Sequence, residues 1–141
     1  MKFLVLGANE IGYAAVFDLI RTEGTELVIW ADSDADQLNT YDTKIIDEKV
    51  VACCVEPSDL AALGDLMSKV DVVIGCLSSK ANLEMLNRAL ATGKSFVDTS
   101  LMLGTAERIY MLDNLAIEQN TVILPGCSLV QIGRASCRER V

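Results

Sequence analysis

A glycine-bearing turn close to the start of the chain, together with one acidic residue downstream, has the chemistry to bind a dinucleotide. The turn is Gly7-Ala8-Asn9-Glu10-Ile11-Gly12, and it follows the apolar run at residues 3–6. Asp32 ends a second apolar run, 20 residues after Gly12. Such a turn presents backbone N–H groups at a helix N-terminus to a pyrophosphate, and the acid accepts hydrogen bonds from ribose hydroxyls. The alternative is a similar turn with no ligand.

The residue types within this turn suggest separate roles. Gly7 can adopt the tight turn after the strand, and Gly12 lets the following helix pack closely against the sheet. The middle position is normally a glycine that lets the backbone approach the phosphates, but here it is Asn9. We expect Asn9 either to crowd the pyrophosphate or to donate its side-chain amide to it.

Two further segments follow predicted strands and should reach the same edge of the sheet. In Gly75-Cys76-Leu77-Ser78-Ser79, small side chains allow the backbone to approach the cofactor sugars, and Ser79 could also cap the next helix. Asp98-Thr99-Ser100 is predicted near the nicotinamide ring, with a locally hydrogen-bonded turn as the alternative. Cys76 is interpreted as a buried small residue rather than a nucleophile. No catalytic residue is assigned, and the predicted cofactor contacts in these two segments are Cys76, Leu77, Ser78, Asp98, Thr99 and Ser100.

The charges after Asp32 favour NAD over NADP. Ser33 is a further candidate contact, and Asp34 and Asp36 follow it, whereas the first Lys or Arg is Lys44. A 2′-phosphate bound here would face carboxylates with no cation to pair with. The alternative for Asp34 and Asp36 is the solvated start of a helix.

The last residues of the chain differ from the rest. Residues 132–141 read I-G-R-A-S-C-R-E-R-V, have no apolar period, and resemble the conceptual translation of a common sequencing adapter. We therefore interpret residues 1–130 as a dinucleotide-binding domain and residues 131–141 as a non-native tail. A genuine basic C-terminal tail is the alternative.

The composition argues against several classes of function. The net charge of −8 argues against non-specific nucleic-acid binding. There is no histidine, and Cys53, Cys54, Cys76 and Cys127 form no CxxC pair, so neither a metal site nor a Cys-His nucleophile is expected. Buried free thiols in a reducing cytoplasm are the expectation. No signal peptide and no apolar run near the roughly 18 residues of a membrane span are found, so no membrane contact is expected.

Apolar runs alternate with helical patterns along the whole domain. Strands are predicted over residues 2–6, 26–31, 50–55, 71–75, 95–98 and 121–124. Helices are predicted over about 10–22, 33–41, 58–68, 80–92 and 104–119, with N-caps at Ser33, Ser58 and Ser79. The first, third and fourth strands are continuous apolar runs, which is typical of strands buried on both faces. The pattern predicts a doubly wound parallel six-stranded α/β sheet (Rossmann fold), strand order 3-2-1-4-5-6, with helices on both faces.

Four segments of the chain form a recognisable set. They are Leu4-Val5-Leu6-Gly7-Ala8 with Ile11-Gly12, Val70-Asp71-Val72-Val73-Ile74, Ser95-Phe96-Val97-Asp98-Thr99-Ser100, and Val122-Ile123-Leu124-Pro125-Gly126-Cys127. Together they resemble the N-terminal dinucleotide-binding domain of the saccharopine dehydrogenase-like family, which includes saccharopine reductases, lysine dehydrogenases and carboxynorspermidine-type enzymes. The resemblance covers residues 1–130 and departs at Asn9 and at Ser128, where a glycine is expected.

The resemblance implies an oxidoreductase that moves hydride between a nicotinamide cofactor and a C–N bond of an amino-acid-type substrate. In such families a second domain binds the substrate, and that domain is absent from this sequence. The chain alone is expected to bind the cofactor without catalysing the reaction. A homodimer is one of the assemblies that the sequence allows.

Two other interpretations compete with a dehydrogenase. One is a non-catalytic nucleotide-sensing module, such as the regulatory domains attached to ion transporters. The sixth strand–helix unit and the segment Phe96–Ser100 favour the dehydrogenase. The other is a free-standing dinucleotide-binding protein that ends near residue 130, which the segment Pro125–Val130 disfavours because no terminating helix follows it.

Overall fold

The chain folds around one parallel sheet. A computed structural model describes residues 1–100 and 108–127. All neighbouring strands pair in parallel, in the order β3-β2-β1-β4-β5-β6, which confirms the predicted topology. The described strands are β1 (Lys2–Leu6), β2 (Leu27–Asp32), β3 (Val50–Cys54), β4 (Val72–Gly75), β5 (Ser95–Asp98) and β6 (Ile123–Leu124).

Helices connect the successive strands and cover both faces of the sheet. The last predicted helix is described only from residue 108 onward, because residues 101–107 lie outside the described part of the chain. The interpretation of the tail and of Ser128 also concerns residues outside it. The helices are α1 (Glu10–Arg21), α2 (Ala35–Asp42), α3 (Leu60–Ser68), α4 (Ser79–Ala91) and α5 (Asp113–Glu118).

Alternate residues of β1 point into two separate cores, as the two-residue period of a strand requires. Leu4 and Leu6 pack with buried residues of α3 and α4 on one face. Val5 packs on the other face with Val16 of α1 and Leu38 of α2. Burial of these side chains, at roughly 25 cal/mol per Å² of apolar surface, holds the helices against the sheet.

Three predicted N-caps are wrong by one residue. α2 is capped by Asp34 rather than Ser33, α3 by Asp59 rather than Ser58, and α4 by Ser78 rather than Ser79. For α2 the cause is visible: the Asp34 N–H donates to the Asp32 carboxylate at 2.8 Å, and this turn places the Asp34 side chain over the first helical N–H groups. In α2 and α3 a carboxylate is the cap in place of the serine before it.

β3 is not buried on both faces, contrary to the prediction. It lies at the edge of the sheet, and Val51 is 50% exposed. The predicted strand order already places β3 at an edge, where a strand has a neighbour on one side only, so its apolar composition was a poor guide to its burial. The expectation of buried thiols also fails in part: Cys54 and Cys127 are exposed and Cys53 is half-buried, whereas Cys76 is buried.

Candidate dinucleotide site

The glycine turn is built by close contacts that only glycine permits. Gly7 has φ +113°, and a Cβ there would lie 2.6 Å from the carbonyl oxygen of Cys76. A Cβ on Gly12 would lie 2.0 Å from the carbonyl oxygen of Gly7. The buried Trp30 indole donates its Nε1–H to the same Gly7 carbonyl at 3.0 Å. The turn therefore holds the start of α1 tightly against β1 and β2.

The Asn9 side chain bonds to the protein at both ends of its amide, and the two roles predicted for it toward a pyrophosphate stay predictions. Its Oδ1 accepts from the backbone N–H groups of Ile11 and Gly12, both at 3.0 Å, so the side chain is the N-cap of α1. Its Nδ2 donates to the carbonyl oxygen of Cys76 at 2.6 Å. Asn9 thus links the glycine turn to the loop after β4. The N–H groups of Asn9 and Glu10 donate to no described residue and are available to an anion.

Asp32 lies at the end of β2 beside this turn, as predicted. Its Oδ2 accepts from the Ala8 N–H at 2.5 Å, and its Oδ1 accepts from the Asp34 N–H at 2.8 Å. An ionised carboxylate has about four acceptor positions, so two remain for the hydroxyls of a ribose. The half-buried Asp32 is thereby oriented by backbone and still has acceptor capacity.

An open groove of about 640 Å³ separates the start of α1 from α2. Glu10, Asp34 and Asp36 contribute three carboxylates to it, and no Lys or Arg lines it. Ser33, at its edge, is exposed. The other lining residues are Asn9, Ile11, Gln37, Thr40 and Tyr41. The groove is uncharged or negative along its whole lining and therefore disfavours an added phosphate.

The loop after β4 approaches the turn from the other side. Ser78 caps α4 through a bond from the Ala81 N–H at 3.5 Å, and Leu77 is half-buried. Burial raises the pKa of the Cys76 thiol to about 11, an effect partly offset by a hydrogen bond with Thr99. A thiol with so high a pKa carries little thiolate at neutral pH, which agrees with the prediction that Cys76 is not a nucleophile.

The segment after β5 points its side chains inward. Asp98 is 3% exposed, and its Oδ1 accepts from the Ser100 N–H at 2.8 Å and the Ser100 hydroxyl at 2.6 Å. The Thr99 hydroxyl donates to the Gly75 carbonyl at 2.8 Å. These are the contacts of the locally bonded turn that was the alternative for this segment. Direct cofactor contact by Asp98, Thr99 and Ser100 stays a prediction.

Sequence reasoning missed Asn82, which the fold places between the two loops. Asn82 is 1% exposed, and its Nδ2 donates to the Asp98 carboxylate at 2.6 Å. A buried asparagine four residues into α4, at a position that would otherwise be apolar, was the available signal. The predicted residues therefore do meet along the carboxyl edge of the sheet, with Ser33 at the periphery and Asn82 as an added member.

Residues 1–100 and 108–127 contain neither a cluster of metal ligands nor a membrane-spanning helix. No group of three or more His, Cys, Asp or Glu side chains is placed to hold a metal ion there. In the same part of the chain, no helix has the length and apolar character needed to cross a membrane.

The fold resembles that of several solved oxidoreductases. Apo saccharopine dehydrogenase (L-Glu forming) from Saccharomyces cerevisiae superposes with a TM-score of 0.72 at 15% identity, over 89% of this chain and 27% of that one. GenD2 from gentamicin A biosynthesis, in complex with NAD, gives 0.67 at 18% identity, over 89% and 34%. A 3-ketoreductase from Actinomadura kijaniata, in complex with TDP-benzene and NADP, gives 0.64 at 21% identity, over 89% and 38%. The chain thus spans about a third of the length of these structures.

At these identities the likeness to solved structures establishes the fold alone. The family is established by the sequence. A family model described as the saccharopine dehydrogenase NADP binding domain matches residues 3–124, which is most of the chain. The match includes the glycine turn, Asp32, the loop after β4 and the segment after β5. The chain therefore belongs to the saccharopine dehydrogenase NADP-binding domain family, the NAD(P)-binding domain of oxidoreductases.

Proposed function

We propose that this domain binds NAD in preference to NADP and serves an oxidoreductase that acts on a C–N bond of an amino-acid-type substrate. The observation that carries the cofactor preference is the acidic groove beside Asp32, with Glu10, Asp34 and Asp36 and no cation among its lining residues. The description of the family names NADP, so this preference rests on the charges of this chain.

The residues present fit a dinucleotide. Asp32 has acceptor capacity for the ribose. The N–H groups of Asn9 and Glu10 lie at the start of α1, where a pyrophosphate would bind. Gly7, Ala8, Ile11 and Gly12 shape this turn through their backbone. When bound, the cofactor would supply hydride chemistry, and the chain would supply binding and orientation.

Two features support the amino-acid-type substrate: membership of the saccharopine dehydrogenase domain family, and the likeness to the Saccharomyces cerevisiae enzyme. The chain spans 27% of that enzyme, so we expect the substrate-binding residues to lie in another part of a longer protein. Recovery of the coding sequence beyond Val130 from the source DNA tests this. A continuation into a domain-sized extension supports the proposal, whereas a transporter-linked continuation overturns it.

The cofactor proposal is tested by titrating the full chain with NADH and with NADPH. Trp30 is the single tryptophan and bonds to the glycine turn, so its fluorescence reports binding at this site. We expect NADH to bind at least about fivefold more tightly, because a phosphate near several carboxylates loses on the order of 1 kcal/mol. Equal affinities in the parent chain would contradict the charge argument.

Asp32→Ala tests the role of the carboxylate in the same titration. Loss of charge-assisted hydrogen bonds to the ribose should weaken NADH binding by about 10- to 100-fold and narrow the preference over NADPH. Asp113→Ala is the control, because Asp113 is exposed at the start of α5 and does not line the groove. If the Asp32→Ala variant bound NADH as tightly as the parent chain, Asp32 would not be a ribose contact.

A further inference from the structure

Asn82 occupies a buried position at which its amide joins two loops. It lies four residues into α4, and its own N–H donates to the Ser78 carbonyl at 2.8 Å, so the helix fixes its backbone. Its side chain is almost completely removed from solvent, at 1% exposure. Burying a polar side chain to this extent lowers the stability of the folded state unless its hydrogen bonds are made.

The side chain of Asn82 makes three hydrogen bonds, in two directions. Its Nδ2 donates to the Gly75 carbonyl at 2.8 Å, and its Oδ1 accepts from the Leu77 N–H at 3.2 Å; both partners belong to β4 and the loop after it. The same Nδ2 donates to Asp98 Oδ1 at 2.6 Å, at the end of β5. Only a primary amide offers two N–H donors and an acceptor in this arrangement.

Gly75 is matched to Asn82. A Cβ on Gly75 would lie 2.4 Å from Asn82 Oδ1, so the amide fits only because the neighbouring strand ends in a glycine. The Gly75 carbonyl also accepts from the Thr99 N–H at 3.1 Å and the Thr99 hydroxyl at 2.8 Å. The loops after β4 and β5 therefore form one hydrogen-bonded unit with Asn82 at its centre.

We infer that Asn82 is a positioning residue for the nicotinamide half of the site: it sets the loops at Leu77 and at Asp98–Ser100 without touching the cofactor. This inference rests on the proposed function, because those loops matter only if a dinucleotide lies across the carboxyl edge of the sheet. The adenosine half is built by Asp32 and α2, which Asn82 does not contact. A change at Asn82 should therefore affect one half of the ligand and leave the other unchanged.

The test compares NADH with ADP-ribose, which has the adenosine half and the pyrophosphate but no nicotinamide. Both are titrated against the full chain and its Asn82→Ala variant, using Trp30 fluorescence and calorimetry. We expect Asn82→Ala to weaken NADH about tenfold, since buried partners are left unsatisfied and the loops shift, and to change ADP-ribose affinity less than twofold. Asn87→Ala is the matched control, because Asn87 on the same helix is exposed and, within the described part of the chain, its side chain bonds only to the Leu83 carbonyl of its own helix.

A second variant keeps the inference testable if Asn82→Ala does not fold. Asn82→Asp places two carboxyl groups in contact, and such a pair holds a shared proton at low pH. The protonated form can donate to Asp98 as the amide does, so the ratio of NADH to ADP-ribose affinity should recover between about pH 8 and about pH 5. Among the described residues, the other titratable groups beside this cluster are the Cys76 and Cys127 thiols; burial raises the pKa of each, so both stay neutral over that range.

The outcomes separate the two proposals. A parent chain that binds neither NADH nor ADP-ribose overturns the proposed function and this inference with it. A parent that binds both, with an Asn82→Ala variant that loses both equally or neither, overturns the positioning role alone. A ratio of NADH to ADP-ribose affinity that does not change with pH in Asn82→Asp also overturns the positioning role. Selective loss of NADH affinity, with recovery at low pH, supports Asn82 as the positioning residue.

Discussion

Asp32 and Asp98 each end a strand of the same sheet, yet their carboxylates have different surroundings. Asp32 is half-buried and accepts from two backbone N–H groups, and its chain neighbours Asp34 and Asp36 line an open groove. Asp98 is 3% exposed, and one of its oxygens accepts from the side chains of Asn82 and Ser100 and from the Ser100 N–H. The first carboxylate is oriented by backbone N–H groups and keeps acceptor capacity, and the second is held inside the protein.

The difference between these two regions follows from where their partners come from. The bonds of Asp32 are to backbone in the glycine turn and in its own turn, so they need no particular side chain. The bonds of Asp98 depend on Asn82 and on the absence of a side chain at Gly75. Substitutions in the open, adenosine half should therefore change affinity, whereas substitutions in the buried, nicotinamide half should also change stability.

The largest effect is expected for Gly75→Ala in the buried half. The added Cβ would lie 2.4 Å from Asn82 Oδ1 and 2.7 Å from the Phe96 ring, and overpacking of this kind lowers the free energy of unfolding by about 1–3 kcal/mol. Urea denaturation measures it. Gly64→Ala is the control: a Cβ on Gly64 in α3 meets no atom within 4 Å, so this variant should gain about 0.5–1 kcal/mol. Equal stabilities of the two variants would contradict the contrast between the regions.

The next effect is expected from the Cys76 thiol and is confined to alkaline pH. Burial raises its pKa from 9.0 in the unfolded chain to about 11, so the folded state keeps the proton while the unfolded state loses it. The stabilisation is complete below about pH 9 and is lost between about pH 9 and pH 11, at about 1.4 kcal/mol per pH unit.

Denaturation of the parent chain and of Cys76→Ala over this pH range measures the contribution of the thiol. The difference in unfolding free energy between the parent chain and Cys76→Ala should fall from pH 9 and level off near pH 11.

In the native chain at neutral pH, a thiol reagent should modify the exposed Cys54 and Cys127 and spare Cys76 until the protein unfolds. Rapid native modification of Cys76 would show that the loop after β4 opens.

The smallest effect is expected for Asp36→Lys in the open half. Asp36 is exposed and lines the groove, so a cation there should raise NADPH affinity about two- to fivefold, the range of an exposed ion pair, with little change for NADH. The gain should shrink as salt is added. Asp113→Lys makes the same charge change at the start of another helix and should leave both affinities unchanged. An identical gain from both variants would indicate net charge rather than the groove.

Much of the fold could be predicted from periodicity. Alternating apolar runs and helical patterns, joined by short turns, specify parallel strands with right-handed crossovers, and this leaves few topologies. The caps at Asp34, Asp59 and Ser78 could not be placed to the residue. A serine stands beside an aspartate before α2 and α3, two serines stand together before α4, and geometry selects between them. The exposure of β3 was missed because its burial was predicted from its apolar residues and not from the edge position that the predicted strand order gives it.

The sequence by itself determined the glycine turn, the acid at the end of β2 and the charges of the groove, since each depends on residues close together in the chain. Only the tertiary structure decided how Asn9 and Asn82 are used. Asn9 bonds to Cys76, 67 residues away, and Asn82 bonds to Asp98, 16 residues away. An amide side chain can be a cap, a ligand contact or a buried bridge, and the choice depends on which backbone the fold brings within hydrogen-bond distance.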